Sequence, residues 1–78
     1  MLIEIFVATR MFLDNSGKMT CFKEVSYLCD KADISSFSVD TSKKFKNPVC
    51  WVRFKDGSQE LVAESCVEFN RRFNGSAD

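Results

Sequence analysis

The chain has 78 residues, 45% of them hydrophobic and 28% charged, with 11 basic and 11 acidic side chains and no histidine. That describes one small globular domain. Zero net charge weighs against a general nucleic-acid binder, which carries a basic excess, and the lack of His removes the commonest general base.

Leu2 to Leu13 reads as one long first strand. Ile3, Ile5 and Val7 fall on one face, and Leu2, Phe6 and Ala8 on the other. Apolar residues on both faces predict a central strand, or one covered by a helix on one side and by a partner on the other. The segment has no basic n-region and contains Glu4, so it is not a signal peptide. No stretch reaches the length of a membrane span. A cytoplasmic, reducing setting is the expectation. Asp14-Asn-Ser-Gly-Lys18 is a hairpin loop.

Met19 to Asp30 fits both periods, and the preceding hairpin loop favours a strand with a break near Ser26. Asp30 to Asp33 is turn-like. Ile34 to Asp40 is a short strand, suited to an edge, with Ile34 and Phe37 or Val39 as its buried candidates. Thr41 to Pro48 is a loop, and Pro48, which cannot donate to a ladder, marks entry to the next strand.

Val49 to Gly75 carries the strongest local signals. Asp56-Gly57 is a turn between two strands. Ser65 and Glu68 form a capping box that opens a helix. Arg71 and Arg72 suit its last turn, and Gly75 supplies its stop. Cys66, Phe69, Asn70 and Phe73 share a helical stripe that suits the Cys50/Val52/Phe54 face of the strand. The predicted fold is α+β: a small antiparallel sheet of four or five strands, rich in hairpins, with one C-terminal helix packed on one face. Residues 1–75 form the domain and 76–78 fray.

Val52-x-Phe54-x-Asp56-Gly57 followed by Val62-x-Glu64-Ser65-x-x-Glu68 resembles the short hairpin-helix proteins of the flagellar FlbD type. The resemblance implies strand, turn, strand and helix over that stretch. It does not extend to the N-terminal hairpin or the four cysteines, and it implies no function.

Chemistry has few candidates. Cys21, Cys29, Cys50 and Cys66 contain no C-x-x-C pair, so a zinc site lacks its knuckle. In a reducing compartment they read as small buried hydrophobes rather than disulfides. Cys66 at the first helical position is the one conceivable nucleophile, since backbone N–H groups stabilise a thiolate there. Glu60 and Glu64 read as solvated surface carboxylates. The three glycines are isolated, so no phosphate loop exists. The expectation is a protein that is no enzyme and holds no cofactor or metal.

Two binding readings remain. Val49, Trp51 and Arg53 lie on the strand face away from the helix, and Trp and Arg are common interface anchors. They predict a protein-interaction module that binds another protein and self-associates, a dimer being favoured. A small regulator or inhibitor of phage or mobile-element type, acting on a host protein, suits such a chain. The competing arrangement folds the Thr41–Pro48 loop, with Phe45, over Trp51. The alternative function is nucleic-acid binding, with Lys43, Lys44 and Lys46 on phosphates, Phe45 on a base, and Arg71 and Arg72 extending the patch. No membrane is expected to take part.

Overall fold

The computed structural model describes residues 1–8, 11–23 and 25–75. Within them the chain forms β1 (Leu2–Val7), β2 (Met11–Leu13), β3 (Met19–Cys21), β4 (Val25–Asp30), a 3-10 turn (Lys31–Asp33), β5 (Ile34–Val39), β6 (Cys50–Phe54), β7 (Gln59–Val62) and α1 (Cys66–Phe73). The fold is α+β. A five-stranded antiparallel sheet runs in the order β4-β1-β7-β6-β5, and β2 and β3 form a second, two-stranded sheet. No helix among the described residues is long and apolar enough to cross a membrane.

The sheet is curled by its connections. β4 and β5 are its two outer strands, yet only the turn Lys31–Asp33 joins them. Asp30 caps that turn, its Oδ1 accepting from the Ala32 N–H at 3.0 Å. The Lys55 N–H then donates to the Asp33 carbonyl at 2.9 Å, tying the turn to the β6–β7 hairpin. Three residues cannot cross a flat five-stranded sheet at ~4.8 Å per strand, so the outer strands must bend towards each other.

Alternation places Ile3, Ile5 and Val7 inside the curl with Val62, Cys50, Val52 and Ile34. Fully buried Phe69 closes this core, and Phe37 and Phe73 pack beside it, the Phe37 and Phe69 rings meeting edge-on at 5.1 Å. The helix thus covers the Cys50/Val52/Phe54 face as its stripe predicts. The Glu68 N–H donates to Ser65 Oγ at 3.1 Å, which is the expected cap, while the Glu68 carboxylate lies 3.8 Å from Lys23 Nζ. Gly57 and Gly75 adopt φ of 93° and 68°, the left-handed geometry their turns require.

Three expectations change. The long first strand is divided between two sheets, β1 in the large one and β2 in the small one; Thr9 and Arg10, between them, lie outside the described residues. Met19–Asp30 is strand, as favoured, but its interruption falls before Val25 rather than near Ser26, so that β3 leaves with β2 while β4 stays on β1. Residues 76–78, expected to fray, also lie outside the described residues.

The third change concerns the cysteines. Cys50 and Cys66 are joined by a disulfide, while Cys21 and Cys29 are free. Both bonded residues were legible as facing positions, Cys50 on the covered strand face and Cys66 at the start of the covering helix. The expectation of a reducing compartment led away from joining them. The bond closes a loop of sequence separation 16 and clamps the start of α1 onto β6.

Alkylation of the unreduced, denatured protein should modify Cys21 and Cys29 alone. Reduction should lower stability by about 3 kcal/mol, the magnitude for a loop of this length. Urea unfolding with and without reductant measures it, and an unchanged midpoint would show that the clamp contributes nothing.

Candidate protein-binding surface

The predicted Trp51 face is largely covered. Val49 is only 8% exposed and packs with Ala8, Cys21, Leu61 and Ala63, and half-buried Phe45 and Trp51 lie against this second core. The cover is the Thr41–Pro48 loop together with β3. The Met19 N–H donates to the Lys44 carbonyl and the Lys46 N–H to the Met19 carbonyl, both at 2.7 Å, and the Cys21 N–H donates to Asn47 Oδ1 at 2.9 Å. Trp51 Nε1–H donates to Asp40 Oδ1 at 3.1 Å. Of the three residues proposed as an anchor set, only Arg53 stays exposed. The physical reason is that a small domain buries its one Trp locally when a neighbouring loop supplies both a ring and a carboxylate.

The basic loop is also partly committed. Lys46 Nζ lies 3.7 Å from the Asp14 carboxylate, and Phe45 is turned into the second core. Lys43 and Lys44 remain exposed, with Lys18 Nζ donating to the Lys43 carbonyl at 3.0 Å. Arg71 and Arg72 do not extend this patch. They lie in the last turn of α1, whereas the Lys43 loop borders its first turn at Ser65 and Cys66.

Arg72 has a different task. Its guanidinium makes two hydrogen bonds to the Glu64 carboxylate, one through Nε at 3.3 Å and one through Nη2. Nη2 also donates to the Glu4 carbonyl at 2.9 Å, and the group lies 5.1 Å from the Phe6 ring centroid. Glu64 is 4% exposed, not the solvated carboxylate expected. The available sequence signal was the spacing from Glu64 to Arg72, about two helical turns, but nothing in it shows that Glu64 precedes the helix on a buried bend.

Catalytic candidates fare differently. Cys66 has no thiol to ionise while it is bonded to Cys50. Burial raises the thiol pKa of Cys21, and burial followed by the charges of Asp33 and Asp30 raises that of Cys29, which leaves both poor nucleophiles at neutral pH. No group of three His, Cys, Asp or Glu side chains among the described residues could hold a metal ion.

The exposed apolar surface lies elsewhere, on the N-terminal strands. In β2 all three residues are exposed, Phe12 at 54% and Leu13 at 72%. The reason is the pairing. β3 has β2 on one side and the Lys44–Lys46 backbone on the other, so β2 is left as an outer edge. The Phe12 and Phe22 rings meet edge-on at 5.6 Å. The loop that joins β2 to β3 is well fixed. Asp14 Oδ1 accepts from the Ser16 N–H at 2.9 Å, the Ser16 hydroxyl at 2.6 Å and the Lys18 N–H at 3.0 Å. The Ser16 hydroxyl, first among these bonds, holds the Asp14 pKa below its ordinary value.

Compared with known proteins, the chain matches no family model, no curated protein and no solved structure.

Two tests follow from this geometry. Arg72→Ala leaves the Glu64 carboxylate buried without its cation and should cost about 3–5 kcal/mol in urea unfolding, whereas Glu64→Leu combined with Arg72→Met should recover most of that loss. Asp40 has its pKa lowered by the Ser42 hydroxyl and then by the Trp51 indole. The bond to Trp51 should therefore persist as pH falls past the ordinary aspartate value of about 3.9 and break only below it. Trp51 fluorescence should stay level from neutral pH to that point, and Asp40→Asn should remove the acid transition.

Proposed function

We propose that the chain is a non-catalytic protein-interaction module that binds another protein through the outer edge of β2 and the exposed side chains Met11, Phe12, Leu13 and Phe22. One observation carries this reading: among the described residues, Met11, Phe12, Leu13 and Phe22 are all exposed and lie together on or beside β2, an outer edge strand. An apolar strand edge that is not blunted by charge invites a partner strand, and apolar side chains around it supply the contact area. A loop already held by three bonds to Asp14 loses little conformational entropy on binding. A small regulator or inhibitor that acts by occluding its target fits this form. The Cys50–Cys66 bond favours an oxidising compartment over the cytoplasm that the sequence suggests.

The test is affinity capture with the wild type, Phe12→Ala, Leu13→Lys and Arg53→Glu, with and without nuclease. A partner bound through the β2–β3 arm should be lost with Leu13→Lys, should bind Phe12→Ala ~30-fold more weakly, the scale of a 2 kcal/mol hot spot, and should tolerate Arg53→Glu. A partner retained undiminished by both arm variants refutes the surface. Capture that nuclease abolishes would move the function to Lys43 and Lys44.

A further inference from the structure

Among the described residues, β4 has β1 on one side and no strand on the other. The phase of the ladder shows which groups face outward. The Lys31 N–H donates to the Met1 carbonyl at 2.9 Å, one step beyond the Leu2↔Asp30 pair. Bonded and non-bonded pairs alternate in an antiparallel ladder. Val25, Tyr27 and Cys29 therefore bond to β1, and Ser26 and Leu28 turn their N–H and C=O groups outward, while Asp30 offers its N–H alone because its carbonyl serves the 3-10 turn that it caps. The other edge of β1 keeps the same phase. The Phe6 carbonyl and Ala8 N–H bond to the β7 segment, and the Glu4 carbonyl accepts from Arg72.

We propose that this edge pairs antiparallel with β4 of a second copy of the chain, with the two-fold axis at Leu28. Leu28 then lies opposite the partner's Leu28, and Ser26, whose hydroxyl donates to the Glu4 carboxylate of its own chain at 2.7 Å, lies opposite the partner's Asp30, which faces its own N-terminal ammonium at 3.6 Å. About four backbone hydrogen bonds form, and the two sheets become one. Leu28 is 64% exposed, and Leu2, diagonal to it on β1, is exposed on the same face. Charge and polarity select this register. With the axis at Tyr27, Ser26 meets leucine; at Cys29, Asp30 meets leucine; at Asp30, two carboxylates face each other. β4 contains none of the proline or lysine that commonly guards an edge. The surface is distinct from the β2 edge, so either can fail without the other.

On the opposite face the same register sets Tyr27 beside the partner's Cys29 as a non-bonded pair. Its Cα separation of about 4.5 Å is within the range a disulfide spans.

The test measures mass by light scattering over a concentration series. The wild type should reach twice the chain mass, and Leu28→Lys should stay monomeric with unchanged circular dichroism. Leu28→Pro, which removes an outward N–H and no β1 bond, should behave likewise. Tyr27→Cys should give a covalent dimer on mild oxidation, and Tyr27→Cys with Cys29→Ser should not. A wild type monomeric to millimolar concentration overturns the proposal, as does a dimer that survives Leu28→Lys. If Leu13→Lys dissociates the dimer and Leu28→Lys does not, the copies meet through the β2 arm and the β4 register is wrong. Should Tyr27→Cys fail to fold, the two Leu28 variants still decide.

Discussion

The pair formed by Glu64 and Arg72 holds the fold together at the place where the sheet alone does not. β1 and β7 share a single register pair, Val7↔Val62, and diverge from it. Below that point no strand among the described residues lies beside the inner edge of β1, and the Arg72 guanidinium takes over, bonding to the Glu4 carbonyl that a neighbouring strand would have used. Arg72 is in turn oriented by Glu64, which lies on the bend between β7 and α1. One planar cation therefore joins the β1 edge, the bend and the end of the helix. Arginine suits this role because its fork meets a carboxylate with two donors and still presents an N–H to a carbonyl.

The disulfide acts at the opposite end of the same helix. Cys66 fastens the first turn of α1 to β6, while Arg72 fastens the last turn to β1. Lys31 Nζ adds a bond to the Phe73 carbonyl, from the turn that curls the sheet. An eight-residue helix is too short to be stable by itself. Here it is secured at both ends and buried through Phe69 in the middle.

Much of this could be read from residue order. The Asp56-Gly57 turn, the Ser65 cap, the Gly75 stop and the stripe of Cys66, Phe69 and Phe73 are local signals, and local signals survive folding. The surface was harder to place because it depends on which segment lies over which. Trp51 alternates outward from the helix, as read, but the cover that reaches it comes from Phe45 and from β3, and no period in the sequence reports that contact. Glu64 looked solvated because an isolated carboxylate near a strand end is usually so, and its partner lies in a later element. The exposed residues of β2 read as part of a buried central strand because Leu2–Leu13 is continuously apolar. Its division between two sheets follows from the pairing of β3 with the Lys44–Lys46 backbone, a tertiary event.

The short β1–β7 pairing also bears on the order in which the domain assembles during synthesis. β1 and β4 are made early and can pair as soon as both leave the ribosome, whereas Val62 and Arg72 follow much later in the chain. Until then the nascent hairpin carries two open edges, the outer one of β4 and the inner one of β1, each able to recruit a neighbouring chain on the same message. The inner edge is sealed last, by a side chain at the end of the terminal helix. Completion of that helix is thus the event that turns a sticky hairpin into a finished domain.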